Sequence, residues 1–329
     1  MIKNTTRVTA SKRRVPRMAA GSDLSDALVD ALNAAYGVHP GHRAAHAKGV
    51  LCAGTFTATP AAGAISRAVH FQGEPARAHV RFSNGGGDPT VPDGARDARG
   101  IGVKLYLPDG TTTDVVGITL PCFFVRTPEE LIEFNLVRRV DPATGAPDME
   151  KVGAFLGAHP ETVPAVTAAI THPIPASYAQ LTYNALHTFK FVAPDGTVRP
   201  ARYHFIPATG DASISDDEAA SRPPDYLRDE LENRFASGPA VFHVDLELAA
   251  EGDPLDDPTA IWPDDRERVR VGALLITALA FDREQDGDVL VFDPTRVTDG
   301  IEMSDDKILH ARSGAYNSSV KRRTAISSQ

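Results

Sequence analysis

Between residues 51 and 118 the chain is written as short alternations of apolar and polar residues, cut at close intervals by glycine and proline. Val80 and Phe82 alternate with His79 and Arg81, and Val103 and Leu105 alternate with Lys104 and Tyr106. This period of two marks half-buried strands. Strands are predicted over 51–58, 67–72, 78–83, 101–107 and 112–118. Thr59-Pro60, Gly73-Glu74-Pro75, Gly85-Gly86-Gly87-Asp88-Pro89 and Pro108-Asp109-Gly110 separate them, as turn residues should. Short strands at this spacing imply an antiparallel sheet or barrel.

The rest of the chain surrounds that pattern with helices. Residues 22–36 read as the first, with Ser22 as N-cap, a Leu24, Leu28, Leu32, Ala35 stripe and Gly37 at its end. Thr127-Pro128-Glu129-Glu130 combines a threonine N-cap, proline at the first position and glutamate at the third, a capping-box start for a helix to about Arg139. Helices are also predicted over 148–156, 161–170 and 224–235, and strands over 187–192, 201–206, 242–248 and 269–278. Some nine strands result, with neither an internal repeat nor a long linker. The fold class is α+β: one domain over 22–329 built on an antiparallel barrel, preceded by a basic, flexible arm over 1–21.

Composition narrows the function. The formal net charge of −9 disfavours general nucleic-acid binding. No apolar run approaches the ~20 residues of a membrane span. Arg13-Arg14 is followed by Val15-Pro16-Arg17-Met18 rather than an apolar stretch, so no signal peptide is read there. The expected location is the cytoplasm, with the periplasm as the alternative. Cys52 and Cys122 are the only cysteines, too few for a disulfide framework or a cysteine metal cage.

Two stretches carry the chemistry. In Arg312-Ser313-Gly314-Ala315-Tyr316 the arginine precedes the tyrosine by four positions; if the segment is helical, both share one face. A guanidinium at contact distance favours the charged form of a phenol, and tyrosinate is an axial ligand of haem iron. Residues 39–49 hold His39, His42 and His46. A zinc or copper cluster is one reading of them, but Pro40-Gly41 breaks the helix that would align the rings. Gly100-Ile101-Gly102 and Gly85-Gly86-Gly87 lie in no βαβ context and read as turns, not dinucleotide sites.

A series of motifs resembles the haem catalases in their order along the chain. It comprises Arg43 to Gly49, His79 to Ser83, Arg96 to Gly100, Pro121 to Arg126, His187 to Lys190, Ile261 to Pro263, Phe292 to Pro294, Gly300 to Glu302 and Arg312 to Tyr316. The resemblance implies a barrel of about eight strands with haem b buried between barrel and helices. It makes Tyr316 the iron ligand and Arg312 its charge partner. His46 becomes the distal catalytic histidine, hydrogen-bonded by Ser83. Arg43, Arg81 and Arg323 become the partners of the haem propionates, His187 a proximal-side histidine, and Phe123 and Leu131 contacts of the haem.

Three departures shape the expected activity. Only 13 residues follow Tyr316, so the chain is most similar to the small catalase-related peroxidases, and no NADPH site is expected. Gly117-Ile118-Thr119-Leu120-Pro121 puts Ile118 where the family's pattern has a distal asparagine, leaving Thr119 as a partial hydroxyl substitute. Leu131 stands where the family carries an aromatic residue. The expectation is a peroxidase that uses hydrogen peroxide or organic hydroperoxides to oxidise small organic donors, with weak dismutation and a homodimeric assembly. The alternatives are a fatty-acid hydroperoxide isomerase of the allene oxide synthase type and a non-catalytic haem carrier or sensor.

Overall fold

The computed structural model describes residues 23–281 and 289–325; the arm expected over 1–21 lies outside the described residues, as does Ser22. Four strands form the first half of the sheet: β1 (Gly49–Ala58), β2 (Ala76–Asn84), β3 (Arg99–Tyr106) and β4 (Thr112–Ile118). Tyr183–Asn184, Val198–Pro207, Ala240–Leu248 and Arg268–Leu279 continue it. Each strand pairs antiparallel with the next, and Arg268–Leu279 returns to β1, so eight strands close into a barrel. Closure satisfies the backbone groups that an open sheet leaves on its edges. Phe189–Val192 and Ile301–Met303 extend the sheet beyond the ring.

The alternation in β2 does what its period requires. Val80 and Phe82 are fully buried, and the Phe82 ring stacks on Tyr178 at 5.6 Å and lies 6.0 Å from Phe242. A smaller apolar cluster, Val125, Phe134, Phe155 and Ile308, lies apart from the main core, with Phe123, Phe124 and Leu131 packed against it.

The helix predicted after Thr127 forms as Pro128–Val137, with both hydrogen bonds of the capping box in place. The first helix is Leu24–Tyr36, capped by Asp23 and closed by Gly37 at φ +87°. It packs on the last helix, Lys307–Ala325. Arg322 bridges the two by reaching Asp30 at 2.5 Å and Asp26 at 3.2 Å.

Residues 67–72, predicted as a strand, instead form a 3-10 turn, Val69–Phe71. Side-chain bonds win there over a ladder. Gln72 donates to the carbonyls of Ser66 and Ala68, Ser66 donates to Gly300, and Phe71 is buried against Phe191. His187, predicted at the start of a strand, precedes the strand Phe189–Val192 and is free to turn its ring toward the last helix. No helix among the described residues is long and apolar enough to cross a membrane.

Candidate active site

The loop before β1 delivers His46 in a backbone conformation that non-glycine residues rarely adopt, φ +55°. Backbone bonds hold it there: His46 N–H donates to Gly85 O and Ala47 N–H to Gly86 O, each at 3.1 Å. Arg81, on β2, donates to the His46 and Ala47 carbonyls at 2.9 and 3.1 Å. The imidazole Nδ1 lies 3.0 Å from the Ser83 hydroxyl. Gly100, across the sheet from Ser83, leaves room for both groups; a Cβ there would stand 2.8 Å from each. Backbone strain of this kind, held in place by its surroundings, is a feature of working sites.

Burial pushes the His46 pKa down to about 3, and the charges of Arg81, Arg312 and Arg43 add to the effect. The ring is therefore neutral at physiological pH. With Nδ1 engaged by Ser83, Nε2 remains for a substrate proton.

The last helix supplies the other half. Arg312 Nε donates to the Tyr316 oxygen at 2.9 Å, and Nη2 makes a second, very short bond to the same atom. Arg312 Nη1 lies 3.0 Å from His187 Nε2, and His187 Nδ1 lies 2.6 Å from Asp306 Oδ2. A guanidinium can only donate, so His187 Nε2 accepts and its proton rests on Nδ1, facing Asp306. Burial holds the His187 pKa below its ordinary value, against the pull of Asp306. Asp306 also caps its helix, accepting from Ile308 and Leu309 N–H at 2.8 and 3.2 Å. One carboxylate thus starts the helix and fixes the far end of a chain that ends on the Tyr316 oxygen.

His46 and Tyr316 line one cavity with an empty volume of about 800 Å³, counted to its open mouth. Arg43, Arg81, Arg312 and Arg323 line it too, and no lining residue is a carboxylate. Val29 and Leu32 of the first helix, with Ile101, Val116 and Phe292, supply apolar walls. A second cavity, sharing His46, Val116, Gly117 and Arg312 with the first, is lined by Ile118, Phe123, Asn184 and His187. A flat, apolar, dianionic ligand with a metal at its centre suits this space. Guanidinium groups match carboxylates, and the Tyr316 oxygen, held by Arg312, offers a metal ligand. The residues present fit a haem.

Of the residues predicted from sequence, His46, Ser83, Arg43, Arg81, Arg312, Tyr316 and Arg323 share the first cavity, and Phe123 and His187 line the second. Two are placed elsewhere. Thr119 accepts from Arg99 N–H at 3.0 Å and lines a separate cleft with Thr171 and His172. Neighbouring strand residues point to opposite faces, so a cavity-lining Ile118 turns Thr119 away. Leu131 packs into the smaller apolar cluster and lines neither cavity. His39, His42 and His46 form no group of converging metal ligands among the described residues; His39 bonds Tyr36 O at 3.0 Å instead. Asp306 was missed, although an acidic residue before a helical run is an N-cap signal. Val29, Leu32 and Asn184 gave none, because only the packing turns them toward the site.

The catalase family model matches residues 28–329, and the chain belongs to that family: it is a haem oxidoreductase built on a closed barrel. Its relatives narrow this further. It is 41% identical to a catalase-related peroxidase of Mycolicibacterium paratuberculosis over 93% of this chain and 97% of that one. It is 36% identical to a catalase-related peroxidase of Synechococcus elongatus over 91% and 88% of the two chains. A solved bacterial catalase superposes with a TM-score of 0.76 at 26% identity, covering 87% of this chain and 58% of that one. Within the family this chain is a haem peroxidase. Neither of these two relatives is named as an isomerase or a haem carrier.

Proposed function

We propose that the enzyme reduces hydrogen peroxide or an organic hydroperoxide at the expense of a small organic donor, with dismutation a minor activity and haem b as the cofactor. The observation that carries this is the pairing, around one cationic cavity, of a neutral His46 with a Tyr316 oxygen held by Arg312. When bound, haem would supply the two-electron chemistry that cleaves the peroxide bond, and Tyr316 would hold its iron.

His46 takes a proton from the peroxide at Nε2 and returns it to the departing oxygen, as a neutral base near its substrate can. Ser83 keeps the ring aimed, and the strained backbone at His46 sets its position. Arg312 fixes the Tyr316 oxygen with two N–H groups, and Asp306, through His187, fixes the guanidinium. Arg43, Arg81 and Arg323 are proposed to hold the two propionates of haem b. Ile118 gives a second peroxide molecule an apolar surface in place of a carboxamide, which supports donor oxidation over dismutation.

The test is an absorption spectrum of the purified protein with and without Tyr316→Phe, followed by rates of donor oxidation and oxygen release. The expected outcome is a tyrosinate-type haem spectrum, lost or altered in the variant, with donor oxidation exceeding oxygen release. A protein that takes up no haem, or one that releases oxygen as fast as full-length catalases, refutes the proposal.

A further inference from the structure

Ile118 removes a carboxamide from the cavity, and the fold sets another directly across from it. Ile118 and Asn184 are register partners at the join between β4 and the strand Tyr183–Asn184. Opposed residues of antiparallel strands send their side chains to the same face. Both line the inner cavity together with His46 and His187.

The Asn184 amide is held from two directions. Its Nδ2 donates to Leu120 O at 3.0 Å. A carbonyl oxygen only accepts, so this contact fixes which amide atom is the nitrogen. Oδ1 then accepts from His204 Nδ1 at 2.7 Å, and the other ring nitrogen, Nε2, lies 3.3 Å from Glu247 Oε2. His204 and Glu247 are both buried. An amide nitrogen carries two hydrogens, and Leu120 engages one. Asn184 also borders the cleft that contains Thr119, but its register with Ile118 directs it inward.

We propose that Asn184, clamped by Leu120 and His204, presents its second amide N–H to the cavity and positions the peroxide oxygen beside His46, standing in for the carboxamide absent at 118. This rests on the peroxidase reading above. A donor mounted on the neighbouring strand approaches the substrate from a shifted direction. It can assist the first peroxide without restoring the geometry that dismutation uses.

The experiment uses ferric holoprotein and fluoride, a small anion whose binding to haem iron responds to nearby N–H donors. Asn184→Leu is expected to weaken fluoride binding about tenfold by Soret titration, the worth of one hydrogen bond to a charged group. The second-order rate with hydrogen peroxide should fall by a similar factor, with haem content and the unliganded spectrum unchanged. Asn184→Asp, which replaces the donor by an acceptor, should weaken fluoride further. His204→Leu, which frees the amide to turn, should fall between wild type and Asn184→Leu. Wild-type fluoride affinity in a fully haem-loaded Asn184→Leu protein overturns the proposal. Should that variant fail to take up haem, wild-type fluoride affinity in Asn184→Asp or His204→Leu overturns it equally. His46→Ala run alongside separates the two claims. A peroxide rate unchanged by that substitution defeats the peroxidase mechanism, whereas the fluoride series bears on Asn184 alone.

Discussion

A histidine at φ +55° beside a glycine that no larger residue could replace shows how much of this site is set by single positions. A Cβ at Gly100 would stand 2.8 Å from both His46 Nδ1 and Ser83 Oγ, closer than real Cβ contacts. Gly100→Ala is therefore expected to push the imidazole off its serine. Peroxide consumption should fall by roughly a hundredfold, the cost of misplacing a catalytic group by about 1 Å, while haem content measured by the pyridine haemochrome stays near wild type. Unchanged activity in that variant would show that the Ser83 contact does not aim the ring. Position 118 makes the complementary case. Ile118→Asn returns a carboxamide to the cavity wall and should raise oxygen release from hydrogen peroxide roughly tenfold relative to donor oxidation, as read with an oxygen electrode. Equal dismutation in the two proteins would argue that the isoleucine is not what limits it. Most of these residues were legible in the sequence because their chemical types and order match a known pattern. Thr119 was assigned to the site because a hydroxyl was the nearest polar substitute in sequence. Its strand turns it to the other face, where it accepts from Arg99 N–H.

At the scale of elements, the barrel wall and the segment that closes the cavity meet at one buried carboxylate. Lys104 and Asp114 are register partners on β3 and β4, with Lys104 Nζ 2.6 and 2.8 Å from the two carboxylate oxygens. Arg296 Nη1 at 2.6 Å and Asp293 N–H at 2.8 Å reach the same carboxylate. That ties down the segment carrying Phe292, which lines the cavity. Burial alone pushes the Asp114 pKa up and that of Lys104 down, so the pair persists only because each charge meets the other. Asp114→Ala leaves the ammonium of Lys104 buried without its carboxylate and should cost about 3–5 kcal/mol of stability, measured by urea unfolding. A loss below about 1 kcal/mol would mean the pair is incidental. Local signals of this kind divide sharply by range. The capping box at Thr127 formed as predicted because it needs only residues three apart. The strand expected over 67–72 did not, because Ser66, which Gln72 binds locally, reaches Gly300 across more than two hundred positions. No window along the chain contains that information.

Over the whole molecule, buried histidines set how the fold answers to acid. Burial lowers the pKa of His46 to about 3 and of His70 to about 4, against about 6.5 in an unfolded chain. Between those limits the unfolded chain binds protons that the folded one refuses, so stability falls as pH drops from about 6.5 toward 4. His70 is nearly inaccessible, and at pH 5.5 its share of the loss should be about 1 kcal/mol. Urea midpoints of the haem-free protein at pH 7.5 and 5.5 check this, and His70→Phe should flatten the difference by that amount. A midpoint that holds steady or rises on acidification would contradict it.

The sequence by itself determined the class of fold, the capped helix that starts at Pro128, and the residue types of the site. Period, capping and i,i+4 spacing are local properties, and a haem-binding pattern is carried by identity and order. Only the tertiary structure decided which side of β4 faces the cavity, which strand closes the ring, and that Asp306, Leu32 and Asn184 belong beside residues far from them in the chain. Those outcomes depend on register and packing. A shift of one residue in register would exchange Ile118 for Thr119 at the site, and the short spacings that define a strand do not fix which strand it will pair with.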